Sequence, residues 1–291
     1  MKSKGNLYPK IYSMNNLIKA YKKARKRKTK RHAIIEFEKD LVDNLENLQK
    51  SLISKTYQPS PMKRFIVQDP KSRVIHASEF QDRIIHHALI NIIGPIFERT
   101  FIHDSYASRV GKGTRNAIKK FDKFKWKTSR NGRVIHNEIN KNKVVGYVLK
   151  ADIRKYFDEV DHSILIKTIQ RKIKDGDVIF LIRKILMNFY SSTEGRGMPL
   201  GNYTSQFFAN VYLNRLDHFI KHQLKANYYI RYVDDFIIFN RDKKELQEYE
   251  SKISHYLSKI KLSFHKDKSK IIPLKNGISF LGIRIFYFNN P

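Results

Sequence analysis

The sequence predicts an α+β chain built around an antiparallel sheet. Apolar residues recur at helical spacing in several long segments. Short β-branched and aromatic runs, bounded by turn residues, stand between them. The two kinds mix irregularly along 291 residues, without the regular strand–helix alternation of a doubly wound parallel sheet. The length suggests about two domains or subdomains.

Ile34, Ile35, Phe37, Leu41, Leu45, Leu48 and Leu52 predict one amphipathic helix over 33–56. After Pro59 and Pro61, the β-prone runs Arg64–Gln68 and Arg73–Ile75 flank Asp69-Pro-Lys-Ser72 and read as a hairpin. Residues 79–99 read as a helix that Pro95 ends or kinks. A loop with Gly111 and Gly113 opens a short helix to about 124. Lys123–Lys143 is polar and basic, with Asn131-Gly132, and reads as a surface loop or small hairpin. Val144–Lys150 is a strand ending at Ala151-Asp152, and helices follow over about 161–190 and 204–223. Tyr228–Phe239 holds two β-rich runs broken by Asp234-Asp235. A helix over 243–261 precedes two short strands within 271–287, with a turn signal at Asn276-Gly277.

Composition narrows the function. Lys and Arg total 58 against 27 Asp and Glu, a formal charge of +31. With 41% hydrophobic and 12% aromatic residues, the chain is too apolar for a disordered basic tail. Having no cysteine, it has no disulfide scaffold, zinc ribbon or thiol nucleophile, which fits a cytoplasmic protein. No apolar run approaches the ~18 residues of a membrane span, and the first residues lack a signal-peptide core, so no membrane is expected. The expected partner is a polyanion, nucleic acid foremost. Tyr21–Arg31 carries eight basic residues in eleven. Lys22, Lys23, Arg25 and Arg27 within it are candidate phosphate contacts, although a solvated helix face has the same composition.

Asp234-Asp235 interrupts segments that should be buried, where two carboxylates are costly without a compensating cation. Side chains alternate along a strand, so only a turn lets both approach one site. A polar hairpin turn that binds no metal is the competing reading. Asp152 ends a strand beside Arg154 and Lys155, where a plain ion pair is equally admissible. Three hard oxygen donors suit Mg²⁺, which binds a few carboxylates together with substrate phosphates. The 82 positions between Asp152 and Asp234 leave their proximity open. His86-His87 lies in an apolar helix, where neighbours do not share a face, and reads as core or RNA-contacting rather than metal-binding. Trp126 and Phe124 suit either base stacking or core packing.

Several spaced motifs together resemble a reverse transcriptase. Ala151-Asp152-Ile-Arg-Lys-Tyr-Phe157, Gly197-Met-Pro-Leu-Gly-Asn-Tyr-Thr-Ser-Gln206 and Tyr232-Val-Asp-Asp235 look like its palm motifs, in the family's order. Asp69–Arg73 and Phe80-Gln-Asp-Arg83 resemble its finger motifs, and His103–Ala107 with Gly111–Thr114 continues the match. Lys268-Ser-Lys-Ile271 and Phe280-Leu-Gly282 resemble the closing palm motifs. The likeness covers roughly 57–287. In the third palm motif, Leu200-Gly201…Ser205-Gln206, extended through Asp217-His218, resembles the reverse transcriptases of diversity-generating retroelements. Those copy a template-repeat RNA into cDNA with errors opposite adenines, and the altered cDNA replaces a variable repeat in a target gene.

The resemblance implies a right-hand polymerase fold, with a basic helical extension at 1–56, fingers at 57–145 and a palm with an antiparallel sheet at 146–291. A thumb is expected to be absent or truncated, because the chain ends just after the last palm motif. Asp152, Asp234 and Asp235, with the carbonyl of Ile153, would hold two Mg²⁺ ions. Lys71 and Arg73 would clamp the incoming dNTP, with Arg154, Lys155, Leu200 and Gly201 around it. Phe157 matches the steric gate against a ribose 2′ hydroxyl, and Lys268 would assist the leaving pyrophosphate. Tyr232, Phe280, Leu281 and Gly282 would support the primer end of an RNA/cDNA duplex. A small basic accessory protein is a further expected partner. Two other readings stay open: a retron-like or defence-associated reverse transcriptase, and a non-catalytic RNA-binding protein.

Overall fold

The computed structural model describes residues 5–68, 72–131, 134–135, 143–189, 191 and 193–286. The helices are α1 (Tyr8–Tyr12), α2 (Met14–Arg25), α3 (His32–Lys39), α4 (Leu41–Ile53), α5 (Phe80–Glu98), α6 (Thr114–Thr128), α7 (Tyr156–Glu159), α8 (His162–Gln170), α9 (Gly176–Met187), α10 (Tyr203–His218) and α11 (Lys243–Lys259). The strands are β1 (Lys63–Gln68), β2 (Ser72–Ala77), β3 (Val134–Ile135), β4 (Lys143–Val144), β5 (Tyr147–Asp152), β6 (Tyr228–Tyr232), β7 (Asp235–Asn240), β8 (Lys270–Pro273), β9 (Ile278–Phe280) and β10 (Ile283–Ile285). Every pairing between these named strands is antiparallel. The chain divides into two compact units, Met1–Thr100 with Phe157–Tyr212, and Phe101–Tyr156 with Leu213–Pro291.

In the first unit, α2 packs along α5. Ile11, Leu17, Ala20, Ile84, Ala88 and Leu89 are buried, as the helical spacing of apolar residues requires. Polar groups in this core are paired. Tyr8 Oη donates to the Leu52 carbonyl, and Asn16 Nδ2 donates to the carbonyls of Ile11 and Ala88. Tyr57 Oη donates to Asp82 Oδ1 at 2.7 Å, so the buried carboxylate keeps a partner.

Several predicted elements differ in detail. The helix expected over 33–56 is two, because Asp40 takes φ −122°, ψ 50° and leaves the helical region between α3 and α4. The helix expected over 161–190 is also two. Asp175 accepts the N–H groups of Asp177 and Val178 and so begins α9 afresh. Within Lys123–Lys143, α6 runs on to Thr128 and β3 pairs with β4, while 132–133 and 136–142 lie outside the described residues. Elsewhere α5 continues through Pro95 to Glu98, and α10 passes into a π-helical turn over Phe219–Gln223.

In the second unit, four strands form one sheet in the order β6-β7-β5-β8. Period-two alternation gives each face its residues. Val148, Ile230, Ile237 and Phe239 join Ala117, Phe121 and Phe124 of α6, with Phe280, in one buried cluster. Phe121 meets Phe239 edge-on at 5.0 Å and stacks on Phe280 at 5.7 Å. The hairpin expected at Asn276-Gly277 is displaced. β8 pairs with β5, and the hairpin is β9–β10. Leu281 and Gly282 form its two-residue loop, both with positive φ, which matches the twist of a tight hairpin.

Phe121→Ala should therefore cost about 3–5 kcal/mol of stability, read from urea unfolding. A loss below about 1 kcal/mol would mean that this aromatic cluster does not hold the sheet.

Candidate active site

The register of β5 on β7 places Asp152 directly opposite Asp235, and the register of β6 on β7 closes a turn from Tyr232 to Asp235 over Val233 and Asp234. Directly opposed residues share a face with Cβ atoms about 5 Å apart, so two carboxylates here repel. Val233 takes φ +57°, a conformation that a β-branched residue rarely adopts and that costs about 1–3 kcal/mol. The carbonyl of Asp234 accepts the Ile153 N–H at 3.3 Å, which ties the turn to the end of β5.

Cations gather around the pair. Lys268 Nζ lies 3.1 and 3.2 Å from the two oxygens of Asp152. Ser269 Oγ meets the Asp152 N–H at 3.3 Å, and the Asp152 carbonyl accepts from the His265 N–H at 2.8 Å. Lys150 Nζ donates to the Ser279 carbonyl at 2.8 Å and lowers the cost of the Asp235 charge. Asp235 is strongly perturbed all the same. Burial first, then repulsion by Asp152 and Asp234, pushes its carboxyl up to about 7, against the pull of Lys150 and Lys268. Its Oδ1 is buried with no hydrogen-bond partner.

A hard divalent cation fits this donor set. The donors are carboxylate oxygens, one of them orphaned and buried, in a place where ionisation is resisted for want of positive charge. Among the described residues, no group of three or more His, Cys, Asp or Glu side chains is placed to hold a metal ion by itself. The convergence expected from sequence is therefore a cross-strand pair with a third carboxylate on the adjacent turn.

The other candidates are distributed as follows. Ile153 is buried, Arg154 and Lys155 are exposed, and Lys155 takes φ +42°. The Tyr232 hydroxyl lies 3.2 Å from Thr114 Oγ1. Phe280, which precedes the Leu281-Gly282 loop, is fully buried against Phe121. In the first unit, Arg73 is exposed on β2, and Lys71 lies outside the described residues. The Phe157 carbonyl accepts the Met198 N–H at 2.7 Å, which joins two of the motifs. Leu200 is half-buried, and Gly201 takes φ +104° with room for a Cβ only 3.0 Å from Ile75 Cγ2. Lys22, Lys23 and Arg27 are exposed, whereas Arg25 Nε lies 2.7 Å from Glu38 Oε1.

The first unit also holds a recess of about 460 Å³ lined by Lys28, Arg31, Arg83, His86, His87 and Tyr203 among others. Burial, then Arg83 and Arg31, lowers the Lys28 pKa, so cations face one another there. Burial holds His86 and His87 neutral, at about 3 and 4, and the Nδ1 atom of each is buried without a partner. His87 stacks on Tyr203 at 4.5 Å. Trp126 is half exposed on α6, whereas Phe124 is buried against Tyr228 and Phe239. Although Ser269 and Asp217 lie within quoted motifs, sequence reading assigned no role to Lys150, His265, Ser269, Asp217 or Arg231. An acid in the apolar run Ala209–Leu216 and beyond, and a base inside β6, were the available signals for the last two.

A family model described as reverse transcriptase (RNA-dependent DNA polymerase) matches residues 63–285. Protein YkfC of Escherichia coli is 25% identical over 84% of this chain and 72% of its own length. Group II intron-encoded protein LtrA of Lactococcus lactis is 28% identical over 79% of this chain and 36% of its own. A structure of apo telomerase from Candida tropicalis matches with a TM-score of 0.57 at 16% identity, over 82% of this chain and 58% of that one, a likeness of fold. The chain thus spans only about a third of LtrA and somewhat over half of the telomerase.

The raised Asp235 pKa gives a pH signature. Its ionisation is harder in the folded state than in the unfolded one, where the ordinary value is 3.8. The stability it confers while neutral is full below about 4 and is lost as pH rises through about 7. In the absence of divalent ions, Asp235→Asn should melt like the wild type near pH 4 and progressively higher than it up to pH 8. A melting difference that does not change with pH would contradict this environment for Asp235.

Proposed function

The chain belongs to the reverse transcriptase family, and we propose on that premise that it polymerises DNA on a template RNA, using Asp152, Asp234 and Asp235 as its catalytic carboxylates. The observation that carries this reading is the opposition of Asp152 and Asp235 across β5 and β7, beside an orphaned carboxylate oxygen. The three carboxylates and the Ile153 carbonyl would hold two Mg²⁺ ions. Bound Mg²⁺ would supply the charge that activates a primer 3′ hydroxyl and stabilises the departing pyrophosphate.

The chain's own residues do the positioning. Asp152 and Asp235 stand opposed at the end of the sheet, and the Val233-Asp234 turn would bring the third carboxylate toward them. Lys268, whose ammonium carries the charge opposite Asp152, is suited to the departing pyrophosphate. Arg73 and Lys71 would clamp the triphosphate, with Arg154 and Lys155 adding positive charge. Phe157 would meet the sugar at its 2′ position and favour dNTPs. Tyr232 and the Phe280–Gly282 loop would support the primer end. The cationic recess at Lys28, Arg31 and Arg83, with Lys22, Lys23 and Arg27 exposed nearby in sequence, suits the phosphates of template RNA. On this reading 1–56 is a basic helical extension, 57–145 act as fingers and 146–291 as palm.

The finer reading is a reverse transcriptase of the diversity-generating type, error-prone opposite template adenines. Leu200 supports it: an apolar side chain offers no hydrogen bond to the nascent base pair, and a loss of ~1.4 kcal/mol of discrimination is already tenfold. A small basic accessory protein would complete the assembly. A second reading is an intron-type reverse transcriptase, favoured by the 28% identity to a group II intron-encoded protein.

Asp234→Ala with Asp235→Ala should abolish Mg²⁺-dependent dNTP incorporation in primer extension, with RNA binding retained. Normal synthesis by that double variant would overturn the catalytic assignment. Sequencing the cDNA separates the subtypes: errors concentrated opposite adenine support the diversity-generating reading, and uniformly faithful copying contradicts it.

A further inference from the structure

Arg231 and Asp217 are both fully buried, in a unit where most charged side chains reach solvent. Arg231 Nε and Nη2 donate to the two carboxylate oxygens of Asp217 at 2.7 and 2.6 Å, and Tyr229 Oη donates to Asp217 Oδ1 at 2.7 Å. This fork fixes the plane of the guanidinium and leaves Nη1 aimed away from the carboxylate. Nη1 donates to the carbonyl of Val233 at 3.0 Å. The Arg231 backbone is equally constrained. Its N–H donates to the Asp104 carbonyl at 3.0 Å, and its carbonyl accepts the Tyr106 N–H at 2.9 Å.

Stability explains such a pair poorly. Burying two charges costs so much solvation that apolar replacements of similar volume often do as well or better. Position explains it better. Val233 is the residue at φ +57°, and its carbonyl belongs to the peptide that leads into Asp234. The next carbonyl, that of Asp234, is held by the Ile153 N–H. Both peptide planes that bound Asp234 are thus anchored, one by Arg231 and one by β5. Losing the Nη1 contact removes one of these anchors, so that the unfavourable φ of Val233 can relax and shift the Asp234 side chain from its place.

We propose that Arg231, locked by Asp217, is the positioning residue of the carboxylate turn: it holds the Val233 carbonyl so that Asp234 and Asp235 present their oxygens together to a divalent cation. The inference rests on the catalytic reading of these carboxylates, and a metal-binding readout tests it apart from polymerisation. Arg231→Lys keeps a cation for Asp217 but lacks the planar fork needed to reach Val233 as well. Asp217→Leu with Arg231→Met replaces the pair by apolar volume and serves if the first variant does not fold.

In calorimetric titration with Mn²⁺, the folded variant should bind about tenfold more weakly than the wild type. In primer extension its kcat should fall about tenfold or more, while the KM for dNTP and the RNA affinity stay within about threefold, the pattern of an interaction that acts on the transition state. Raising Mg²⁺ should restore part of the rate. Folded variants with wild-type Mn²⁺ affinity and kcat would overturn the proposal, as would losses that only follow the folded fraction measured by circular dichroism. If the wild type itself incorporates no dNTP yet binds Mn²⁺ and the variant binds it more weakly, the polymerase reading falls and the positioning role stands.

Discussion

Asp152 meets Asp235 because β5 and β7 pair in one register, and the alternation of side chains leaves that register no slack. A slip of one residue would turn Val148, Ile237 and Phe239 out of the aromatic cluster and send the carboxylates to opposite faces. The apolar half of each strand therefore fixes the polar end. Two like charges placed in direct opposition are unfavourable by themselves. The burial of Val148, Ile237 and Phe239 offsets that repulsion, as does the positive charge of Lys268 and Lys150.

Charge organises both units in the same manner. The chain carries +31, yet its cations are not spread evenly. In the second unit Lys268 and Lys150 stand at the carboxylates. In the first, Lys28, Arg31 and Arg83 line a recess where burial and mutual repulsion lower the Lys28 pKa. Each arrangement leaves an electrostatic imbalance of opposite sign. Phosphate groups would relieve the imbalance in the first unit, and divalent cations that in the second.

Much of the fold could be read in the sequence where periodicity was long. The helices over 79–99 and 243–261 and the strands flanking Asp234-Asp235 stand within a residue or two of their expected bounds. Breaks set by one residue were harder. Asp40 and Asp175 divide expected helices through local backbone and capping choices that a hydrophobic stripe does not reveal. The signal at Asn276-Gly277 was outweighed by pairing. β8 gained a long-range partner in β5, and Leu281-Gly282 took the hairpin loop. In the candidate site, Asp152, Asp234 and Asp235 stood out as carboxylates in β-prone segments. Their register, the Lys268 contact and the Asp217–Arg231 pair depend on partners distant along the chain, so residue type alone did not reveal them.

The most direct test of this account is anomalous scattering from crystals grown with Mn²⁺ and an incoming dNTP. The account predicts metal density in contact with Asp152 and Asp235, with Lys268 Nζ withdrawn from the Asp152 carboxylate. Crystals in which nucleotide is bound while Lys268 remains on Asp152, with no metal density between the two strands, would contradict it.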